Sequence, residues 1–444
     1  MSSEALTQVS GTQRLTAVLL ITAALLVFSV FVNIDFLMPA MALVALIAST
    51  RGYAVISYLA LSKCEIKTNA SVTVGGKPLT YSIEIFNKGL IPIALVEITL
   101  NYSQNLRLVK GSKAALLIIP PKSSVTYEVV FNGRVGKHRV GPLKAVVRDP
   151  LGLFRSSELE LVKAEEVAIQ PPAREVMIRK VWTHTRSAGV VRSREPGLGV
   201  ELYGVREFRP GDDLRRVVWR TLASSNRLSV KEMERETYQS IFFVVEASPQ
   251  MFYGPYGGTP YEHASEVIAS ISAYLARRGD LMSLVVATQD GVLTSGKPSR
   301  GRNAYVKISK TLSMVPYIAD SVDRNLLLKK ALKEILNSLP RERNLIFVFT
   351  TAGDETYLKG LLEFINKLRS LNNDVYVAIP LTIAYEVRGL PPWAQAIYRV
   401  KLYDKVKDEL EFARKLVKYR ARVIAIGPQY MPETIVRIVE ARRS

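Results

Sequence analysis

The 444-residue chain is poor in the side chains that carry most enzyme chemistry, with one cysteine, Cys64, and three histidines, His138, His184 and His263. A single cysteine excludes an internal disulfide and a thiolate metal cluster, and it fits a reducing compartment. The histidines are far apart in sequence, and no Gly-x-Ser-x-Gly nucleophile motif is present. We therefore expect a protein that is not an enzyme, with neither catalytic residues nor a cofactor.

Acidic residues are also in short supply, since 40 Asp and Glu face 60 Lys and Arg and give a formal net charge of +20 at pH 7. Such an excess implies attraction to an acidic partner, either anionic lipid or nucleic acid. Aromatic residues interleaved with basic ones, as in single-strand binders, are concentrated only around residues 194–236. Nucleic acid is thus a disfavoured partner, although a membrane-tethered nucleic-acid-binding protein remains the alternative function.

Long uncharged apolar runs are confined to the first 62 residues. Residues 15–32 are long enough to cross a bilayer core of about 30 Å at about 1.5 Å per residue. After a polar break, residues 36–50 are again apolar, Arg51 interrupts them, and residues 53–62 continue the run. An immediate second apolar segment argues against a cleaved signal peptide. We predict a transmembrane helical hairpin, with a hairpin buried in a soluble core as the alternative.

The orientation of this hairpin follows from the basic residues at its ends. Arg14 precedes the first run, Arg51 and Lys63 follow the second, and the connecting loop has no basic residue. The positive-inside rule then places both flanks in the cytoplasm. Glycosylation sequons at Asn69 and Asn101 would matter only if this part faced outward. We expect a multi-pass cell-membrane protein with its soluble domains on the cytoplasmic side and membrane lipid as one partner.

Residues 64–172 change to short segments in which apolar and polar side chains alternate with period two. Turn clusters containing Gly and Asn separate them, and a turn at residues 149–154, DPLGLF, precedes a last strand near 159–169. This pattern predicts an antiparallel β-sandwich of immunoglobulin-like size, acting as a spacer or a protein-binding module. The clearest alternating segments are 81–86, 94–100, 124–131 and 143–148.

Residues 238–444 alternate near-continuous apolar runs with helical patterns, as expected of parallel strands covered on both faces. This order predicts a doubly wound α/β domain whose binding site lies at the carboxyl ends of the strands. The predicted strands are 240–246, 282–288, 345–351, 374–379 and 422–426. The predicted helices lie near 262–278, 325–338, 357–370, 404–418 and 433–442.

The segment 173–237, between these two domains, carries a dense ordered run of glycine, charge and aromatic residues. Gly197 and Gly199 are followed by Arg206-Glu207-Phe208, then by Pro210-Gly211-Asp212, and finally by Trp219-Arg220. This order resembles the signature of the family called domain of unknown function 58, in which a Asp-Pro-Leu-Gly-Leu-like turn also occurs upstream. The resemblance implies a von Willebrand factor type A-like α/β domain that works with a MoxR-type AAA+ ATPase in assembling or remodelling complexes.

Two interpretations of the charged signature residues remain open. They could form a docking face, because the planar fork of Arg binds carboxylates or phosphates in bidentate fashion. They could instead pair with one another, Glu201 and Glu207 against Arg206 and Arg216, while Trp219 anchors the segment on the α/β domain. The candidate partner-binding residues are Arg206, Glu207, Asp212, Arg215, Arg216, Trp219 and Arg220.

The resemblance to type A domains also implies a place for a divalent cation, bound by an Asp-x-Ser-x-Ser loop and by Thr and Asp from two further loops. Glu246 and Gln250 replace two of these residues here, and only Ser248 matches. The loop expected to supply Thr offers only Ser321, and Asp354 is displaced toward a helix. We expect a degenerate and empty metal site at Glu246, Ser248 and Asp354, which disfavours metal-dependent adhesion.

The sequence thus predicts a multidomain, membrane-anchored adaptor or scaffold. Its parts are an N-terminal tail and transmembrane hairpin (1–63), an antiparallel β-sandwich (64–172), the signature segment (173–237) and a doubly wound, type A-like α/β domain (238–444). The expected partners are the MoxR-type ATPase and membrane lipid.

Overall fold

The computed structural model describes residues 8–71, 73–176, 190–220, 228–238, 240–318, 321–340, 343–381 and 391–442, with side chains omitted for 190–203, 233–238 and 395–401. The chain divides into two compact units, Met1–Ile169 and Gln170–Ser444. The boundary between them falls close to the end of the predicted β-sandwich.

The first unit begins with a hairpin of two apolar helices, α1 (Gln13–Phe31) and α2 (Leu37–Ser62), joined by a 3-10 turn at Ile34–Phe36. Asn33 caps this turn, since its side chain accepts a hydrogen bond from the Asp35 amide at 3.1 Å. Both helices are long and apolar enough to cross a membrane, and only 6% and 22% of their apolar windows are buried. Two N-terminal helices of this length and composition are compatible with membrane spans or with a signal sequence.

Helix α2 changes its environment at Arg51. Beyond this residue Ala54, Ser57 and Leu61 are fully buried, and Leu61 belongs to the core of the antiparallel strands. The Tyr53 hydroxyl donates to the Pro92 carbonyl at 3.2 Å and accepts from the Ala94 amide at 3.1 Å. Residues 53–62, which we predicted to continue the apolar run, belong to the same helix; Ala54, Ser57 and Leu61 pack against protein, whereas Ile56 is 46% exposed.

A short strand before the hairpin returns to the segment that follows the antiparallel strands. Strand β1 (Val9–Gly11) pairs antiparallel with β10 (Phe154–Ser156). The predicted turn before β10 is present, because the buried Asp149 side chain accepts from the amides of Leu151 at 3.0 Å and Phe154 at 2.6 Å. The chain entering α1 and the chain downstream of α2 therefore lie side by side.

Two antiparallel sheets form the rest of the first unit, and the predicted antiparallel strands are among them. One sheet has the order β3-β12-β9-β5-β7 with β11 beside β9, and the other has the order β2-β4-β8-β6. Tyr81 and Ile83 from one sheet and Val96 and Ile98 from the other lie in a single apolar core. Alternate positions on each strand are buried, as period-two patterning requires. The strands are β2 (Glu65–Ala70), β3 (Thr73–Val74), β4 (Leu79–Phe86), β5 (Ile93–Tyr102), β6 (Leu106–Lys110), β7 (Ala114–Ile119), β8 (Ser124–Gly133), β9 (Gly136–Val147), β11 (Leu159–Val162) and β12 (Glu165–Gln170).

The second unit opens with a two-stranded antiparallel ribbon, β13 (Val190–Glu207) paired with β14 (Ser229–Tyr238). The register shifts between Ser193 and Gly204, so the glycine-containing part of the signature is an irregular stretch of β13. We call this pair the ribbon, and residues 208–220, which follow β13, the signature turn. The sequence did not predict most of the ribbon as strand, because charged residues occur at so many positions that no alternation of apolar and polar residues is visible.

A mixed sheet forms the centre of the second unit, in the order β17-β16-β15-β19-β20-β21. If these six strands are numbered in the order in which the chain forms them, their order across the sheet is 3-2-1-4-5-6. The third strand, β17, is antiparallel to its neighbour β16, and all other neighbouring pairs in this order are parallel. The strands are β15 (Ser240–Glu246), β16 (Leu281–Thr288), β17 (Gly291–Thr294), β18 (Ser299–Arg300), which pairs with β16, β19 (Leu345–Phe349), β20 (Asp374–Pro380) and β21 (Arg422–Ile426).

Helices cover this sheet, since every residue of β15 is buried. Three of them, α5, α6 and α7, share a core with Phe242 and Val244, while α3 contacts α4 and α8. Helix α7 begins 12 residues earlier than predicted, and α4 was not predicted. The helices are α3 (Pro260–Arg278), α4 (Gly301–Ser313), α5 (Arg324–Ser338), α6 (Glu355–Ser370), α7 (Pro392–Lys418) and α8 (Met431–Ala441).

Candidate functional site

Glu246 and Thr350 lie where the strand order reverses. Glu246 is the last residue of β15, and Thr350 directly follows its neighbour β19. In open α/β sheets, ligands bind outside the carboxyl ends of the strands at such a switch point. Both residues are buried, with exposures of 1% and 0%. The sheet therefore brings a carboxylate and a hydroxyl together at the position where the sequence predicted a metal site.

Arg324, the first residue of α5, fills the space between these two strand ends. Its Nε donates to Glu246 Oε1 at 2.8 Å, and its Nη2 donates to Glu246 Oε2 at 2.7 Å. Nη2 also reaches the side chain of Thr350 at 3.0 Å and the carbonyl of Thr351 at 3.1 Å, while Nη1 donates to the Ala352 carbonyl at 2.9 Å. A buried bidentate ion pair thus ties three segments of chain together.

Tyr357, in the first turn of α6, completes this group. Its hydroxyl donates to Glu246 Oε2 at 3.0 Å and lies 2.6 Å from Thr350 Oγ1. The Arg324 guanidinium carbon lies 3.6 Å from the centroid of the Tyr357 ring, which is a cation–π contact. We call Glu246, Arg324, Thr350, Thr351 and Tyr357 the edge cluster.

The electrostatics of the edge cluster favour the ion pair over neutral groups. Burial by itself disfavours a charged guanidinium, but the nearby Tyr357 and Glu246 outweigh it, so the pKa of Arg324 lies above its usual range. Burial, together with the charge of Glu246, raises the pKa of Tyr357 far above its usual value. Tyr357 therefore stays protonated and remains a hydrogen-bond donor.

Gly353 leaves the room that this arrangement needs. A Cβ at this position would lie 2.4 Å from the Tyr357 ring and 2.8 Å from Arg324 Nη1. Real Cβ atoms essentially never come so close to other atoms, so a larger residue would push the ring or the guanidinium aside. The loop of residues 350–354 therefore needs a glycine at position 353 to leave space for the Arg324 side chain and the Tyr357 ring.

The three predicted metal ligands are not brought together as a cation site. Glu246 is engaged by Arg324, and Asp354 caps α6 by accepting from the Tyr357 amide at 2.9 Å. Ser248 is buried, and Ser321 lies in the chain before α5 without contributing to the edge cluster. Among the described residues there is no group of three or more His, Cys, Asp or Glu placed to hold a metal ion. These residues do not fit a divalent cation, because a guanidinium already takes the oxygens that would bind it.

Arg324 itself was missed at the sequence level. From the sequence we expected the loop around residues 317–325 to supply a hydroxyl ligand, whereas the residue that reaches the strand ends is a cation. The signal that could have revealed it is a basic residue at the start of a helix on the same sheet edge as an unpaired acidic residue.

The signature turn contains a second network, centred on Arg206 at the end of β13. Its two terminal nitrogens donate to Asp212, Nη1 to Oδ2 at 2.7 Å and Nη2 to Oδ1 at 2.6 Å. Its Nε donates to Glu232 Oε1 at 2.8 Å, across the ribbon on β14. Asp212 also accepts from the Arg209 amide at 2.8 Å. One arginine therefore fixes the turn to both strands.

Titration of Asp212 reflects this bracing. The hydrogen bonds from Arg206, and then from the Arg209 amide, lower the pKa of Asp212 from 3.8 to about 2. The same pairing with Asp212 raises the pKa of Arg206. The pair is charged at any physiological pH and holds the turn in one conformation.

The outer side of the signature turn is apolar and exposed. Trp219 is 61% exposed and Leu214 is 62% exposed, and Arg215 beside them is exposed as well. Arg206 pairs with acidic residues of this region, but these are Asp212 and Glu232, which were not the partners expected from the sequence. Trp219 is not a buried anchor. Glu201 was expected to pair with the arginines of the signature, but its side chain lies outside the described part of the structure.

The other candidate residues within the described ranges lie at separate places in the fold. His138 is buried with Nε2 2.6 Å from the Arg134 carbonyl, and burial lowers its pKa. His263 is buried near the start of α3, with Nδ1 4.0 Å from Glu266. His184 lies outside the described residues. Glu207, Arg216 and Arg220 lie on or beside the signature turn, and Glu207 contributes its carbonyl oxygen to Arg206 at 2.9 Å.

The chain is similar, at low sequence identity, to parts of several solved structures. The VWA domain of SpRpn10 is 14% identical, with a TM-score of 0.27 over 44% of this chain and 93% of that chain. Proximal thread matrix protein 1 from the mussel byssus is 16% identical, with a TM-score of 0.28 over 45% of this chain and 46% of that chain. TM-scores this low add nothing to the strand order. No curated protein matches the chain.

The sheet order, the ribbon and the edge cluster together describe an α/β domain with a mixed central sheet, preceded by a β-ribbon. The family described as "Protein of unknown function DUF58" matches residues 204–383. This segment is therefore similar to that family, and the resemblance stated from the signature is confirmed for the part that begins with Arg206.

Proposed function

We propose that the protein is a membrane-anchored adaptor that has no enzymatic activity and presents its signature turn to a MoxR-type AAA+ ATPase. The turn supplies the observation on which this proposal rests. Trp219 and Leu214 project into solvent from a segment that the Arg206 network holds in place. Rigid exposed aromatic and arginine side chains are the typical energetic centres of protein interfaces.

The ribbon supports the same role. An isolated two-stranded hairpin is at best marginally stable in water, and it gains stability when another surface covers it. The paired strands β13 and β14 carry the turn at one end, where Val205 is 52% exposed. A partner that covers Val205, Leu214 and Trp219 would remove this apolar surface from water.

The hairpin provides the anchor in this proposal. Strand β1 before α1 pairs with β10, so both ends of the hairpin lie on the same side, as two membrane crossings require. Arg14 and Arg51 lie toward that end of the antiparallel helix pair, which is where the positive-inside rule expects basic residues in the cytoplasm. This placement supports our proposal of a multi-pass protein with its two soluble units in the cytoplasm.

The test is affinity capture of tagged full-length protein from native membranes, with and without a non-hydrolysable ATP analogue, at moderate and high salt. We expect nucleotide-dependent recovery of an AAA+ ATPase. Trp219→Ala and Arg206→Lys should each reduce it at least tenfold, because lysine cannot make the forked contact with Asp212 and Glu232. Trp393→Ala is the matched control, since Trp393 is 71% exposed on α7, away from the turn in sequence.

Each alternative result has a definite meaning. Equal loss with Trp393→Ala would show that any exposed tryptophan matters and would remove the signature turn from the proposal. Recovery of nucleic acid alone, lost at high salt, would overturn the adaptor role and favour a membrane-tethered nucleic-acid-binding protein.

A further inference from the structure

We propose that the Arg324 guanidinium is a built-in substitute for the divalent cation at the carboxyl edge of the sheet, so that partner binding by this domain does not depend on metal. The first half of this statement rests on the geometry alone. The second half rests on the adaptor role proposed above.

The coordination around Arg324 resembles that of a bound cation. Six oxygen atoms lie within 2.7 to 3.3 Å of its nitrogens, two from Glu246, one from Thr350, two from Thr351 and one from Ala352. Carboxylate, hydroxyl and carbonyl oxygens are the ligands that hard divalent cations use. Here their distances suit N–H donors, and a metal ion would need them at about 2.0–2.6 Å.

Charge favours the arginine over a metal ion. Glu246 is the carboxylate that Arg324 contacts, and the two form a neutral buried pair. A divalent cation added to this pair would place excess positive charge beside a guanidinium in a region with little water, which is strongly unfavourable. The Tyr357 ring at 3.6 Å and the Ala352 carbonyl at 2.9 Å hold the guanidinium in place, so it cannot leave without loss of both contacts.

The substitution also changes what the edge can do. A metal ion that binds and dissociates can gate the loops it joins, because these loops lose their common ligand when it leaves. A covalently attached cation is always present. It joins the end of β15, the start of α5 and the loop after β19 at all times. The edge is thus held in one arrangement, whatever the concentration of magnesium or calcium.

The experiment uses full-length protein in detergent. Thermal unfolding is measured with 5 mM MgCl₂, 5 mM MnCl₂ or EDTA, and free Mn²⁺ is titrated by electron paramagnetic resonance. We expect the Tm of the wild-type protein to be the same in all three solutions. We also expect the wild-type protein to bind no more Mn²⁺ than the double variant Glu246→Gln, Arg324→Met, in which both charges of the ion pair are removed. Arg324→Ala should lower the Tm by on the order of 10 °C, because it leaves a buried carboxylate without its partner.

Chemical rescue separates this role from ordinary structural damage. Millimolar guanidinium ion should raise the Tm of Arg324→Ala, because it can re-enter the space left by the side chain, whereas equal NaCl should not. The matched control is Arg343→Ala, which removes an arginine whose side chain is 57% exposed and should show no rescue. One Mn²⁺ bound per wild-type chain and lost in Glu246→Gln would overturn the proposal, as would the absence of guanidinium rescue.

The two halves fail in different ways. If Arg324→Ala is rescued by guanidinium but the ATPase is captured only when a divalent cation beyond the Mg²⁺ of its nucleotide is supplied, the cation substitute stands and metal independence of binding is wrong. If no ATPase is captured under any condition, the adaptor role fails, and the unfolding and Mn²⁺ results still decide the site.

Discussion

The Arg324 guanidinium lies over the Tyr357 ring at the switch point of the sheet, with the guanidinium carbon 3.6 Å from the ring centroid. The same ring carries the hydroxyl that donates to Glu246 at 3.0 Å. Tyr357 therefore contacts both members of the buried ion pair, one through its π face and the other through its hydroxyl.

The first prediction divides these two contributions. Tyr357→Phe keeps the ring and removes the hydroxyl, and it should destabilise the α/β unit by about 1–3 kcal/mol through loss of hydrogen bonds to buried groups. Tyr357→Leu also removes the ring and should cost about 2 kcal/mol more. Pulse proteolysis in urea measures both. Tyr403→Phe, at a 72% exposed position, is the control and should have no effect. Equal costs for Phe and Leu would show that the ring contact contributes nothing.

The second prediction concerns Gly353. Gly353→Ala should destabilise by about 1–3 kcal/mol, because its Cβ would meet the Tyr357 ring at 2.4 Å and Arg324 at 2.8 Å. Gly52→Ala in α2 is the matched control, since a Cβ there meets nothing within 4 Å. Removal of glycine from the helix should leave stability unchanged or raise it by about 1 kcal/mol. Thermal unfolding of both variants measures these changes. A Gly353→Ala variant as stable as the wild-type protein would contradict the close packing described.

The third prediction is a pH dependence of the signature turn. The pKa of Asp212 is lowered from 3.8 to about 2, so its stabilising contribution is complete above about pH 3.8 and is lost as the pH falls through about 2. Trp219 should become more mobile over this window, as measured by fluorescence anisotropy in a Trp182→Phe, Trp393→Phe background. In the Asp212→Asn variant Trp219 should already be mobile at pH 5, and its anisotropy should show no transition as the pH falls from about 3.8 to about 2. Circular dichroism must be unchanged over the same range, and a transition near neutral pH would be inconsistent with the Arg206 pairing.

The fourth prediction addresses the hairpin. In a Cys64→Ser background, Asn33→Cys places a thiol in the loop between α1 and α2, and Lys88→Cys places one on the first soluble unit. A membrane-impermeant maleimide should label position 33 in intact cells and position 88 only after permeabilisation. The reverse result would invert the orientation. Labelling of both positions in intact cells would show that the hairpin does not separate them.

Strand positions in the α/β unit could be predicted closely where apolar runs are uninterrupted. Ser240–Glu246 and Arg422–Ile426 coincide with the predicted segments, because parallel strands covered on both faces have no polar face to interrupt the run. Helix α4 escaped prediction, since its fully buried apolar residues Ala304, Ile308 and Leu312 form only a narrow stripe at every fourth position. Its remaining residues are mostly polar.

The candidate site was predictable in position, and its chemistry was not. Glu246 could be placed at the end of a strand from local pattern, but its partner Arg324 is 78 residues away and belongs to a helix. A pairing of this kind depends on how strands and helices meet, which no local pattern contains. The Arg206 network is different, because Asp212 is six residues away and the pairing of signature charges was among the alternatives considered.

The pairing of β1 with β10 joins residues 145 positions apart in sequence, on either side of the hairpin. During synthesis α1 and α2 leave the ribosome long before Phe154 does, so strand β1 is still unpaired when the two helices have already been made. Closure of this short ladder is therefore a late step in biogenesis, and it completes only after the antiparallel strands of the first unit have been made.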